Sequence, residues 1–255
     1  WKPTQWSGST YDKARTVKVK VVQTIKNGGV AQETVINITQ NPGNVKKGAT
    51  TLYQFGRKDA FPGVAKADLA SNSHFTEDAG DNMSIMNGIQ HPDLYYTWGS
   101  NWENNYSYNN LWSADNTARG FNDNSVVKTV YDPCPVGFKM PASNAFTGFT
   151  TTGQNSSTQS EFNIDDTSNS QTFQNNLGHN FWTNSSKTAT IYFPASGCRD
   201  NSDGSLSTIG IFGSYWSAYY NVSNYGCFLI FYSGLVNPLY AGIRANAFAV
   251  RPVSE

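Results

Sequence analysis

Residues 205–254 read SLSTIGIFGSYWSAYYNVSNYGCFLIFYSGLVNPLYAGIRANAFAVRPVS, and this stretch decides how the fold is interpreted. It holds eleven aromatic residues, its only charged residues are Arg244 and Arg251, and it has no Lys, Gln, Glu, Met or Asp. The first 204 residues contain 29 Lys, Gln, Glu and Met residues, so fifty residues at that frequency would contain about seven. The complete absence of these residue types calls for an explanation.

Two explanations are open for this segment. A buried C-terminal core would exclude charge, and the alternation over Phe228–Ile230 and Phe248–Val250 is typical of half-buried strands. A binding face would use Tyr among Ser, Gly and Asn, as antibody-type paratopes do, because Tyr offers a large contact area at low entropy cost. The segments that we predict to be turns on such a face are Tyr219–Tyr220, Asn224–Tyr225, Tyr232–Gly234 and Leu239–Ala241.

The whole chain is poor in charge: 14% of its 255 residues are charged, and the formal net charge is zero. Phosphate binding needs an excess of Lys and Arg, so nucleic acid is excluded as a partner. No apolar run reaches the ~20 residues that span a bilayer, which predicts no transmembrane segment. The neutral polar composition is typical of exported β-proteins. No signal peptide is visible and Trp1 is not a natural start, so we expect a mature or trimmed fragment.

The three cysteines, Cys134, Cys198 and Cys227, leave at least one thiol unpaired within the chain. Their wide spacing excludes a zinc site of the paired CxxC type. A Cys198–Cys227 disulfide and three unpaired thiols are both compatible with the sequence.

The N-terminal residues predict a β-hairpin. Thr16–Val22 and Thr34–Ile38 alternate with period two, and Asn27–Gly29 between them is a turn signal. A lone two-stranded hairpin is marginal in water, so we expect it to end a preceding domain or to pack on the next domain of the chain. Asn41–Gly43 interrupts the chain, and we place the domain boundary near residue 45. The sequence thus predicts a hairpin over 1–45 and a second domain over 46–255.

The second domain has no long amphipathic helix pattern. Its short helix candidates are Ala65–Ser71 and Ser143–Phe149, the latter with Ser143 as N-cap. Strand candidates are Thr188–Pro194, Cys227–Tyr232 and Phe248–Val253. Short strands, short helices and long ordered loops together predict an α+β fold.

No catalytic or metal-binding motif is present. His74, His91 and His179 share no ligand spacing, and the Asp165–Asp166 pair has no partner motif. Asp200–Gly204 resembles a calcium loop, but the later Glu of an EF-hand is missing, so we interpret it as a polar turn. We therefore expect no enzyme activity, no cofactor and no metal.

Five blocks of the sequence, in order, resemble a surface-protein domain of the Bacteroidetes, the Fibrobacter succinogenes major paralogous domain. The blocks are Leu52–Asp59, Tyr131–Pro141, Phe193–Gly197, Tyr215–Ser217 and Phe248–Val253. The resemblance covers about residues 48–255. It implies a C-type-lectin-like fold carried by cell-surface lipoproteins and by pilus-tip or fimbrillin-like proteins. The N-terminal hairpin resembles the last strands of a fimbrillin-like β-sandwich, so the hairpin would be the remnant of such a domain.

The chain departs from this family at two places. Many relatives end on Val-Arg-Cys-Val where this chain has Val250–Val253 with Pro252, which removes a potential disulfide partner for Cys134. The Glu-Pro-Asn and Trp-Asn-Asp motifs of calcium-dependent lectins are absent, so calcium-dependent sugar binding does not carry over.

The segment 205–254 also resembles the variable region of proteins that are diversified by a retroelement. Randomising the adenines of AAY codons gives NNY codons, which cannot encode Lys, Gln, Glu, Met or Trp; only Trp216 breaks this pattern. The resemblance implies variable side chains on a rigid scaffold of residues such as Tyr215, Trp216, Asn237 and Arg244. The implied ligand-binding, variable positions are Phe212, Ser214, Tyr219, Tyr220, Asn224, Tyr225, Cys227, Tyr232, Gly234, Leu235, Leu239, Tyr240, Ala241 and Ile243.

The sequence hypothesis is a cell-surface or pilus-tip adhesin, exported to the outer membrane or beyond it. Its diversified aromatic face would bind a protein or glycan on another cell, a phage or a host surface, and pilus subunits are further candidate partners. The alternatives are a glycan lectin of fixed specificity and a structural pilin. The related fold of formylglycine-generating enzymes needs a reactive cysteine pair, which Cys134, Cys198 and Cys227 do not form by spacing.

Overall fold

The computed structural model describes residues 15–23, 32–40, 50–63, 76–77, 83–98, 109–115, 119–165, 173–174, 176–222 and 224–255. The chain divides into two units, Trp1–Val45 and Lys46–Glu255. The predicted turn at Asn27–Gly29 and the helix candidate Ala65–Ser71 lie outside the described residues.

The first unit contains the predicted antiparallel strand pair, formed by β1 (Arg15–Gln23) and β2 (Gln32–Gln40). Val17 pairs with Ile38 and Val19 with Ile36, so the apolar positions of the two alternating patterns lie side by side.

The second unit is built mainly of strands. In chain order its elements are β3 (Thr51–Gln54), β4 (Phe61–Pro62), β5 (Thr76–Glu77), α1 (Ile85–Gln90), β6 (Leu94–Tyr95), β7 (Phe138–Lys139), 3₁₀ turns at Thr147–Phe149 and Gln159–Glu161, β8 (Gly178–Trp182), β9 (Thr190–Pro194), β10 (Cys198–Arg199), β11 (Leu206–Ser207), β12 (Gly213–Tyr220), β13 (Tyr225–Tyr232), β14 (Leu235–Ile243), β15 (Ala247–Val250) and β16 (Val253–Ser254).

The central sheet has eight strands, with β11, β10, β15, β12, β13 and β14 in that order and β3 and β4 joined through β15. The strands β12, β13 and β14 form an antiparallel meander, whereas β15 runs parallel to β12. The pairs β5–β6, β7–β16 and β8–β9 lie outside this sheet. Because β14 is the last strand in this order, the three strands of residues 213–243 lie together at one edge of the sheet.

The prediction of an α+β fold is wrong, because the described residues form a β-rich fold. Among the described residues, α1 is the one α-helix with both ends defined, and it is six residues long. At the second helix candidate, the bonds from Thr147 N–H to Asn144 O and from Phe149 N–H to Phe146 O span three residues, as in turns. Ser143 does not cap a helix because its hydroxyl accepts the Asn122 N–H at 2.7 Å. The C-type-lectin-like fold that the family resemblance implied was part of the same α+β prediction, and the β-rich fold contradicts it.

The strand predictions were incomplete. The strands expected at Thr188–Pro194 and Cys227–Tyr232 are confirmed as β9 and β13 with shifted bounds, and Phe248–Val253 is divided between β15 and β16. However, Tyr219–Tyr220 and Leu239–Ala241 lie in β12 and β14, not in turns. Turn-forming residue types misled the prediction because the meander includes Gly, Ser, Asn and Pro within its strands.

Two hydrophobic cores cover the faces of the meander. On one face, Tyr215 and Phe231 stack with ring centroids 6.1 Å apart, and Leu229 is fully buried beside them. On the other face, Trp216 and Phe228 belong to the second core. The alternation of side chains along each strand therefore sends consecutive aromatic residues into different cores. The described residues include no helix of the length and hydrophobicity that would cross a bilayer.

Candidate ligand-binding face

Strand register gathers one group of side chains on the same face of the meander. Ser214 pairs with Ile230, and Ile230 pairs with Asn237, while Tyr232 pairs with Leu235. Directly paired residues lie on the same face of a sheet. We call this group the aromatic face, and its members are Phe212, Ser214, Ile230, Tyr232, Leu235, Asn237 and Tyr240.

Aromatic rings lie at both ends of the aromatic face. The rings of Phe212 and Tyr232 meet edge to face with centroids 5.1 Å apart at the end of β13. Tyr240 lies at the other end, opposite Phe228, and 47% of its surface is exposed. Phe212, Ile230, Tyr232 and Leu235 are partly exposed. Large aromatic surfaces that are partly open to solvent are typical of contact sites.

The two polar members of the face form hydrogen bonds within the protein. Asn237 is buried, and its Oδ1 accepts the Leu239 N–H at 3.0 Å, which shapes the irregular step between Asn237 and Tyr240 in β14. Ser214 is also buried, and its N–H donates to Ser196 Oγ at 3.4 Å. No member of the aromatic face is charged, so contacts made there are apolar or neutral hydrogen bonds.

Beside the aromatic face, on the same side of the meander, lies a layer of buried rings that we call the floor. The rings of Trp216, Phe228 and Phe248 contact one another. Their centroids are 5.5 Å apart for Trp216–Phe228, 4.3 Å for Trp216–Phe248 and 4.5 Å for Phe228–Phe248. The Trp216 Nε1–H donates to Tyr53 O at 2.8 Å, which fixes the indole. Close-packed rings with satisfied polar atoms form a rigid floor.

Gly226 allows a further ring to reach this floor. A Cβ at this position would lie 2.4 Å from Phe55 Cδ2 and 2.9 Å from Trp216 Cζ3, so only glycine leaves the space. The Phe55 ring thereby packs against the Trp216 ring with centroids 5.4 Å apart.

Three of the fourteen candidate positions are buried, namely Ser214, Tyr219 and Cys227. The Tyr219 hydroxyl donates to Asn124 O at 3.0 Å, and its ring belongs to the second core. Burial raises the pKa of the Cys227 thiol to about 12, and the charge of Arg244 partly opposes that shift. Cys134, Cys198 and Cys227 are free thiols, so no Cys198–Cys227 disulfide is formed. Tyr219 and Cys227 are therefore structural in this state.

Tyr225 lies in a different place from the aromatic face. It pairs with Ile243 on the opposite face of the meander, and Ile243 packs against a third core around Leu111. Tyr225 is 37% exposed and lies beside the turn that carries the exposed Val222. The seven residue steps from Tyr225 to Tyr232 span about 24 Å at ~3.4 Å per step. The sequence-predicted positions therefore lie on both faces of the meander, not on one.

Arg244 lies beneath the turn region. Its buried guanidinium lies 5.1 Å from the centroid of Phe55 and 5.6 Å from that of Tyr220, at cation–π distance. Its backbone N–H donates to Asn224 O at 3.1 Å. Arg244 is therefore part of the buried structure, and the scaffold role that the retroelement resemblance implied for it stays a prediction.

The other eleven candidate positions are at least partly exposed to solvent. Besides the exposed Tyr225 and Tyr240, the partly exposed candidates are Phe212, Tyr220, Asn224, Tyr232, Gly234, Leu235, Leu239, Ala241 and Ile243. The sequence interpretation missed Ile230 and assigned Asn237 to the scaffold. Counting alternate positions back from Tyr232 along a single strand would have placed Ile230 on the face.

Two of the polar groups considered for chemistry, Asp200 and His179, have structural contacts. Asp200 Oδ1 accepts the Ser202 N–H at 2.8 Å, and Gly204 closes the turn with a φ of +69°. His179 is buried among the rings of Phe173 and Phe181. Within the described residues, no three His, Cys, Asp or Glu side chains are grouped as a metal site would require. His74 lies outside those residues.

Residues 145–253 match a protein family described as a domain of unknown function (DUF8237). The match spans less than half of the 255 residues and includes every member of the aromatic face. Comparisons with curated proteins and with solved structures found no match. The similarity therefore delimits a recognised sequence domain around the meander without assigning it an activity.

Proposed function

We propose that this protein is a binding protein, an adhesin of the cell surface or pilus tip, whose aromatic face contacts a protein or glycan ligand. The observation that carries the proposal is the partly exposed row from Phe212 to Tyr240, which lies beside a floor of buried rings on the same side of the sheet. A rigid floor lowers the entropy cost of presenting such side chains to a partner. Tyr and Phe anchors in that arrangement are the residues expected to dominate affinity.

We further propose that the exposed positions of the segment are diversified by a retroelement. Two features support this. The segment 205–254 lacks the residue types that NNY codons cannot encode, apart from Trp216, and Trp216 is fully buried in the floor. The exposed or partly exposed candidates, in contrast, are all residues that NNY codons encode. The low charge and the resemblance to Bacteroidetes surface proteins support an exported setting.

The proposal is tested by retention of surfaces on the purified chain. Beads carrying the wild-type chain are incubated with a panel of intact bacterial cells and with mucin-coated particles, and retained particles are counted. The test variant is Tyr232→Ala/Tyr240→Ala, which removes two rings from the aromatic face. The matched control is Val130→Ala/Phe138→Ala, which removes two exposed apolar side chains that lie elsewhere.

We expect at least tenfold lower retention for Tyr232→Ala/Tyr240→Ala and unchanged retention for the control, because truncating one anchor typically costs ~2 kcal/mol or more. Retention that survives the loss of both tyrosines, or no retention on any surface, contradicts the proposal. Filament formation by the pure chain would favour the pilin alternative. A lectin of fixed specificity would give the same retention result, and comparison of sibling genes separates it from the diversified protein.

A further inference from the structure

A concave site lies in the same unit and shares no residue with the aromatic face. It is a cavity of about 270 Å³ between the loop Gly56–Asp59 and the segment Met83–Pro92, which contains α1. Leu111 and Tyr131 complete its lining. The cavity is near the lower end of the size range of small-molecule sites.

The floor of the cavity is apolar. Met83 and Leu111 are buried, and Ile85 and Tyr131 pack against the same core. Ile89 lies at the cavity with 61% of its surface exposed. A site of this kind favours an aliphatic or aromatic group because binding removes apolar surface on both sides from water.

Among the described residues that line the cavity, one cation is not neutralised. Arg57 Nη2 lies 2.7 Å from Asp59 Oδ2, so these two side chains neutralise each other. Arg57 Nη1 also donates to Leu94 O at 2.7 Å and to Gln54 Oε1 at 2.9 Å, which fixes the guanidinium. Lys58 between them is exposed and has no ion-pair partner in the described parts of the chain. The described residues that line the cavity therefore carry a net positive charge.

We propose that this cavity binds a small monocarboxylate with an apolar tail. The tail lies on Met83 and Leu111, and the carboxylate faces the Lys58 ammonium. A cavity of 270 Å³ holds about nine non-hydrogen atoms at the ~30 Å³ that a water molecule occupies in the liquid. Straight-chain acids close to octanoate match this size and charge.

The test is calorimetric titration of the full chain with octanoate, with 1-octanol as the neutral probe of similar length. Lys58→Gln removes the free cation, and Lys187→Gln is the control because Lys187 is an equally exposed lysine in the turn after β8. We expect octanoate to bind two- to fivefold more weakly to Lys58→Gln and unchanged to Lys187→Gln, the range given by a solvent-exposed ion pair. The affinity for 1-octanol is expected to be the same in all three proteins.

The site is located independently through methionine methyl resonances. The chain has three methionines, of which Met83 lines the cavity and Met140 is buried in the second core. Octanoate is expected to shift the Met83 methyl resonance and to leave that of Met140 in place. Gly88→Leu, which adds a side chain at the cavity wall, is expected to weaken binding at least tenfold.

Three results would overturn the proposal. They are the absence of octanoate binding, equal affinity of the wild type and Lys58→Gln for octanoate, and a shift of Met140 without a shift of Met83. The methyl shifts and the Lys58→Gln comparison still test the proposed site if the Gly88→Leu protein fails to fold.

Discussion

The exposed Tyr240 ring meets the buried Phe228 ring edge to face, with centroids 5.3 Å apart and the planes at 81°. The two residues pair across β14 and β13, so the half-exposed Tyr240 ring packs beside a buried ring on the same side of the sheet. Edge-to-face contact of this kind stabilises a ring in one orientation by roughly 0.5–1.5 kcal/mol. A ring fixed in this way loses little further freedom when a ligand binds.

The first prediction contrasts two tyrosines that the sequence placed in the same class. Tyr219→Ala removes a fully buried ring and its hydrogen bond to Asn124 O, and we expect it to lower the free energy of unfolding by about 3–5 kcal/mol. Tyr240→Ala removes a half-exposed ring, and we expect a loss of about 1 kcal/mol. Urea denaturation of both variants measures the difference. Equal losses would show that the two residues have the same structural role.

The second prediction concerns the space above Gly226. Gly226→Ala places a methyl group 2.4 Å from a Phe55 carbon, so the ring must move, and we expect a loss of about 1–3 kcal/mol in unfolding free energy. Gly148→Ala is the control, because a Cβ at Gly148 meets no atom within 4 Å. A Gly226→Ala protein as stable as the control would mean that Phe55 does not pack on the floor.

The third prediction concerns the buried thiol of Cys227. Its pKa in the folded state is about 12, above the value near 9 expected for an exposed thiol, so the unfolded state loses its proton first as pH rises. This contribution to stability is complete below pH 9 and is lost progressively between pH 9 and 12. From pH 9 to 10 the unfolding free energy of the wild type should fall by about 1 kcal/mol more than that of Cys227→Ala. Parallel curves for the two proteins would contradict a buried neutral thiol.

The fourth prediction concerns the Asp–Pro turn at Asp132. One carboxylate oxygen accepts the Cys134 N–H at 2.7 Å and contacts Lys128 Nζ at 3.1 Å, while the other accepts the Met140 N–H at 2.9 Å. Asp132→Asn loses the charge and one acceptor, so we expect a loss of about 2–4 kcal/mol in unfolding free energy. Asp123→Asn, at an exposed site, should be neutral within ~0.5 kcal/mol. Thermal unfolding of the two variants measures the difference. Equal stabilities would show that the Asp132 carboxylate does not stabilise the turn.

Local patterns predicted part of this fold. The alternation in β1 and β2 was visible because consecutive residues differ in polarity, whereas β13 was recognised from its short run of apolar and aromatic residues. In β12 the sequence Gly213–Tyr220 is buried at every position but the last, so no alternation marks it. A strand covered on both faces gives no period-two signal. The helix expected at Ser143–Phe149 was lost because the Ser143 hydroxyl serves Asn122, a partner 21 residues away.

The candidate site was predicted as a set of residues but not as a surface. Residue types identified the segment, and its aromatic members do include Phe212, Tyr232 and Tyr240 of the face. Tyr219 and Tyr225 could not be separated from them, because their environments depend on the register of β12 and β14 against β13. That register is shifted by irregularities between Trp216 and Tyr220 and between Phe228 and Ile230. Such shifts arise from tertiary packing and leave no mark on composition.

The most direct test of the central claim is to sequence the gene for this segment in sibling isolates, together with its flanking DNA. If the aromatic face is diversified, substitutions will be concentrated at Phe212, Tyr232, Leu235 and Tyr240, with adenine-derived codons and a near-copy of the region beside a reverse transcriptase gene. The buried Tyr215, Trp216 and Phe231 will be constant. Substitutions spread evenly between the aromatic face and these three buried residues, with no near-copy in the flanks, would contradict the claim.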